Sequence, residues 1–175
     1  NLVKDVFDYI KQNIDPSKSY DEKKKTNKFK QLASIYGKIL AYIIASRSVF
    51  KFHTISLIGF SLGCQVIKHC LKELEYLSGY YEGLHDIIHN VIFIAGMCKL
   101  KEKHKSMFEN VSGRIINCYS YYDYTLMYTF NKYAIGLNNT TLDKRIENID
   151  LTYLKLNHHD YYHELNKLFN KMNIL

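Results

Sequence analysis

One proline and eight glycines in 175 residues exclude a Pro/Gly-rich low-complexity chain. No C-x-x-C pair occurs among Cys64, Cys70, Cys98 and Cys118, and each of the four sits in or beside an apolar segment. That pattern speaks against a disulfide framework or a thiolate metal site, and for reduced core thiols in an intracellular protein. Long apolar runs are missing as well. The longest, residues 39–45, is too short to span a bilayer, and no stretch reads as a signal peptide. There are no internal repeats and no clear interdomain linker, so one domain over 1–175 is expected, with a helix and basic connection at 1–26 and the core at 27–175.

What is present is a globular balance: 47% hydrophobic and 23% charged residues, enough for a real core. The net charge is +7, concentrated in Lys23, Lys24, Lys25, Lys28 and Lys30 and again in Lys99, Lys101, Lys103 and Lys105. Neither run carries interleaved aromatics or a nucleic-acid motif, so both read first as solvated loops, with an anionic membrane surface favoured over nucleic acid as a partner.

Apolar spacing predicts helices over 2–14, 27–47, 63–77, 124–131 and 160–172, and strands over 54–59, 91–96, 114–120 and 145–151. Strands that are unbroken apolar runs, alternating with helices, point to an α/β fold with a mostly parallel sheet covered on both faces.

Between the first strand and the following helix stands G-F-S-L-G, residues 59–63. The G-x-S-x-G pattern is weak alone, but a strand before it and a helix after it match a nucleophile elbow. Such a turn asks for small residues at Gly59 and Gly63, exposes Ser61 on a strained backbone, and aims the N-terminus of the helix at developing negative charge. The Leu62 amide is then a candidate oxyanion-hole donor. A serine nucleophile needs a base and an orienting acid, in the order Ser, Asp, His. Asp123 follows the third strand and could equally cap the short helix after it, with Asp143 and Asp150 as alternatives. His158 or His159, on the loop after the last strand, could be the base; His163 falls within the final helix, and the remaining histidines precede Asp123. His159 and His163 have i, i+4 spacing, but no third ligand is apparent, so no metal and no cofactor are expected.

Three blocks taken together, SLIGFSLG, SGRIINCYSYYD, and IENIDL followed by NHHDY, closely resemble the transmembrane and coiled-coil domain-containing (TMCO-type) proteins, an α/β-hydrolase-like family of lipases or esterases. The resemblance runs from about Asp15 to the C-terminus. It implies that Ser61, Asp123 and His158 form a catalytic triad, with Asp160 and Tyr161 matching the family's D-Y after the histidine. Asn157 and Cys118 stand where the family has glycine. The resemblance further implies the last four strands of an α/β-hydrolase sheet, a second oxyanion donor outside this chain, membrane-embedded segments upstream, and a lipid or acyl ester as substrate. A fold of this kind could alternatively serve as a catalytically silent interaction or membrane-trafficking module.

Overall fold

The structure, a computed structural model, describes residues 22–47, 50, 53–130 and 132–173; the helix expected over 2–14 lies outside them. Four strands, β1 (Ile55–Phe60), β2 (Ile88–Ile94), β3 (Ile115–Tyr119) and β4 (Ile146–Asp150), form one sheet in chain order, and every pair is parallel. The helices are α1 (Glu22–Ala45), α2 (Gly63–Ser78), α3 (Tyr124–Thr129) and α4 (Leu165–Lys171).

The register lines up rows across the sheet. Ile58, Ile92, Ile116 and Glu147 form one row, and Gly59, Phe93, Asn117 and Asn148 the next. Alternate rows face opposite cores because successive side chains of a strand point to opposite faces. Leu57, Val91, Phe93 and Ile115 meet α1 and α2 in one apolar cluster. Ile92, Ile94, Ile116 and Cys118 meet Leu126 of α3, Leu168 of α4 and the buried Tyr161 in the other. Each of the fully buried β2 side chains contributes about 1.5–3 kcal/mol relative to exposure. The central strands β2 and β3 are therefore apolar on both sides, whereas β4 shows Glu147, Asn148 and Asp150 outward, as an edge strand does.

α1 and α2 lie almost backbone to backbone. A methyl group at Gly37 would fall 2.5 Å from both the Val66 carbonyl oxygen and the His69 Cβ. At the far end of the sheet, the Arg114 guanidinium makes a bidentate pair with Glu147 at 2.8 and 2.7 Å and donates to the Met172 carbonyl. It ties β3, β4 and the end of the last helix together.

Three elements differ from the sequence expectation. α1 starts at Glu22 rather than at 27, so Lys23, Lys24 and Lys25, expected in a connecting loop, belong to the helix. β2 begins at Ile88 and stops at Ile94, because Ala95 adopts φ +47° and turns the chain out of the sheet. The single helix expected over 160–172 is broken into a 3-10 turn, Asp160–Tyr162, and α4. The Asp160 carboxylate turns back on Asn157, and Glu164 has φ −103° and ψ 9°, outside the helical region.

Candidate active site

Ser61 directly follows β1 in the left-handed region at φ +53°, a conformation that costs a non-glycine residue about 1–2 kcal/mol. Its neighbours hold it there. Its amide donates to the Ile94 carbonyl at 3.0 Å, and its carbonyl accepts from the Met97 amide at 2.9 Å and the Cys64 amide at 3.2 Å. Leu62 is already in the right-handed helical region, so α2 starts one residue later with its N-terminus beneath the serine. The first amides of a helix have no carbonyl of that helix within reach, which leaves the Leu62 N–H suited to an incoming oxyanion.

The two glycines of the turn are not equivalent. A Cβ at Gly59 would lie 2.7 Å from Ile67 Cδ1 and 2.9 Å from the Cys64 backbone nitrogen. A Cβ at Gly63 meets nothing within 4 Å beyond its own turn among the described residues. The expectation of a steric need at both positions is thus corrected to Gly59 alone. Gly63 stands at the first turn of α2, where a side chain would project away from the packed strand.

Ser61, His158 and Asp123 come from three loops at the carboxyl ends of β1, β4 and β3, and their side chains meet. Ser61 Oγ lies 2.7 Å from His158 Nε2, and His158 Nδ1 lies 2.6 Å from Asp123 Oδ2. The carboxylate assigns the ring proton to Nδ1, so Nε2 accepts from the serine hydroxyl. Asp123 is wholly buried, and its other oxygen accepts from the Leu126 amide at 3.0 Å. It therefore caps α3 and faces the imidazole at once. Asp143 instead pairs with Arg145, and Asp150 accepts from the Thr152 amide. His159 is exposed, touching His158 edge-on with ring centroids 5.9 Å apart.

Of the groups that contact or position the imidazole, motif reasoning named Asp160 and Tyr161 only as matches to the family pattern and passed over Phe60. Phe60 stacks on His158 with centroids 5.0 Å apart and planes 27° apart. Tyr161 meets the ring edge-on at 6.4 Å and lies 6.0 Å from Phe60, so the three rings form one cluster. Burial, with the Asp123 carboxylate adding to it, pushes the Tyr161 phenol well above its usual range. Asp160 accepts from the Asn157 backbone and side-chain nitrogens at 2.9 and 3.0 Å, closing the turn that carries His158. The signals were faint: an aromatic at the variable position of G-F-S-L-G, and an acid and a tyrosine just after the histidine.

Chemically, such an array can move a proton from a serine hydroxyl to an imidazole and stabilise the cation that forms. Among the described residues no helix is long and apolar enough to cross a membrane.

The family described as "Protein of unknown function (DUF726)" matches residues 25–175. An uncharacterized membrane protein of Caenorhabditis elegans is 32% identical over 149 residues, covering 81% of this chain and 24% of that protein. "Probable lipase MIL1" of Saccharomyces cerevisiae is 32% identical over 145 residues, covering 79% and 13%. "Transmembrane and coiled-coil domain-containing protein STS1" of Oryza sativa is 32% identical over 130 residues, covering 71% and 19%. The chain thus spans a quarter or less of the length of these relatives. No solved structure matches it.

Proposed function

We propose, for a chain that belongs to the family of proteins of unknown function DUF726 and has TMCO-type relatives, a serine hydrolase acting on ester bonds of lipids or other acyl esters. The observation that carries this reading is the continuous hydrogen-bonded line from Ser61 Oγ through His158 to Asp123, at 2.7 and 2.6 Å, on a serine held at φ +53°. The name of the yeast relative, a probable lipase, agrees with it.

In this reading Ser61 Oγ attacks the acyl carbonyl while His158 Nε2 takes its proton. Asp123 stays ionised and stabilises the imidazolium. The tetrahedral oxyanion lies toward the Leu62 N–H at the start of α2. Collapse breaks the ester bond; His158 returns its proton to the departing alcohol and an acyl-serine remains. Water, deprotonated by the same imidazole, then releases the carboxylic acid and restores Ser61.

The test is covalent labelling with a fluorophosphonate, read by intact mass. The protein is expected to gain one adduct and Ser61→Ala none. Asp123→Asn should react on the order of 10³–10⁴-fold more slowly, because the imidazole loses the partner that sets its tautomer. An adduct that persists in Ser61→Ala would overturn the assignment of Ser61. An unreactive serine in both this chain and a longer one containing it would favour the catalytically silent interaction module.

A further inference from the structure

The geometry points to an anionic phospholipid surface as the partner of the rim that surrounds the Ser61–His158 pair. This deepens the hydrolase reading by naming where its substrate would be met, and it rests on that reading only for its purpose. Binding itself needs no turnover.

The rim is built from the loops after β2, β3 and β4, at the same end of the sheet as Ser61 and His158. It is aromatic where a solvated loop would be polar. Tyr121, Tyr122, Tyr124, Met127 and Tyr128 flank the buried Asp123 and are all exposed, Tyr128 by 81%. Hydrogen bonds hold the neighbouring loops beside this segment. The Tyr121 amide donates to Thr152 Oγ1, which brings in the exposed Tyr153, and the Ser120 amide donates to the Gly136 carbonyl, which brings in the segment of Tyr133.

Cations sit on this aromatic surface. Lys99 and Lys132 lie over the Tyr133 ring at 4.2 and 5.2 Å, and Lys171 lies over Tyr153 at 4.9 Å. Lys99 opens the second lysine run of the sequence, a feature that the proposed hydrolysis does not use. Tyrosine has an apolar ring and a polar tip and favours the headgroup level of a bilayer. Lysine stems lie along apolar surface with the ammonium outward, where an anionic leaflet attracts it. Tyrosine and lysine side by side at this end of the sheet thus fit an anionic interface better than a purely apolar protein groove. The exposed stripe Ile35, Ile39 and Tyr42 on α1 carries Lys38, which pairs with Glu73 at 3.9 Å rather than lying among exposed tyrosines of a loop rim, and it serves as the comparison.

The experiment is flotation of the protein with vesicles of phosphatidylcholine alone or with 30% phosphatidylserine, at low and high salt. Binding is expected only to the anionic vesicles and should weaken with salt. Lys99→Glu/Lys132→Glu and Met127→Ser/Tyr128→Ser should each reduce it about tenfold or more, while Ile35→Ser/Ile39→Ser leaves it unchanged. Thermal melts and fluorophosphonate labelling without vesicles are run on every variant. Retained melting and labelling with lost flotation would support the docking face and leave the hydrolase reading untouched. Equal binding to neutral vesicles, no binding by the parent chain, or well-folded rim variants that float like the parent would overturn it, whatever labelling shows.

Discussion

His104 and His69 lie away from the Ser61–His158 pair, and both are held neutral. His104 Nδ1 accepts from the Lys101 amide at 2.9 Å, so protonation there would remove an acceptor from a backbone donor. Burial, followed by the charges of Lys68 and Lys103, lowers it to about 4. His69 sits between Ser34 Oγ and Gln65 Nε2, each at 3.3 Å, and burial with Lys68 and Lys72 lowers it to about 4 as well. Both folded values lie below the ordinary 6.5, so the unfolded chain binds more protons between these limits. Their contribution to stability is complete above pH 6.5 and is lost as pH falls toward about 4. Thermal melts across that window should show a falling midpoint, and His104→Asn, which keeps an acceptor but cannot titrate, should flatten the fall. An unchanged slope would argue against this assignment. At the same scale, chemistry and chain order narrow the candidates to Ser61, to Asp123 with Asp143 and Asp150 as alternatives, and to His158 or His159, and the family resemblance picks Asp123 and His158 among them. The stacking of Phe60 was not legible, since it depends on where two loops meet, and Asp160 was legible as a pattern match but not as the carboxylate that closes the turn on Asn157.

The turn between β1 and α2 shows how much an element owes to single atoms. Gly59→Ala puts a methyl group against the Cys64 backbone, which cannot give way as a side-chain tip can, and should cost about 1–3 kcal/mol. Gly63→Ala meets open space and should be close to neutral or slightly stabilising through helix propensity. Urea denaturation of the two variants separates them; equal losses would mean that the turn constrains both positions through the backbone. Most elements were readable from periodicity alone. The strand expected over 54–59 is Ile55–Phe60, and the helix expected over 63–77 is Gly63–Ser78. The end of β2 was not readable, because Ala95 and Gly96 are apolar in composition while Ala95 turns away by its φ. The break before α4 was hidden for a related reason: Tyr161, Leu168 and Met172 keep an amphipathic spacing across a segment that Asp160 folds back.

Across the whole molecule the sheet separates two apolar clusters, and the four cysteines are shared between them. Cys64, Cys70 and Cys98 lie on the α1–α2 side and Cys118 on the other. Burial raises Cys70, Cys98 and Cys118 to about 12 and Cys64 well above its usual value, so none offers a thiolate near neutral pH. A disulfide reagent should therefore leave the native protein unmodified and react with all four thiols in denaturant. Under native conditions the slow reaction should follow global unfolding, and one thiol reacting early would reveal a cluster that opens on its own.

The three loops that meet at Ser61 are far apart in the chain, and the serine precedes its imidazole by 97 residues. At roughly 5–20 residues per second of synthesis, the hydroxyl is made roughly 5–20 s before the ring that it bonds. Distance along the polypeptide thus acts as a delay. A chain made only as far as α2 already has the serine, the strand that presents it and the helix beneath it, but not the imidazole that bonds the hydroxyl.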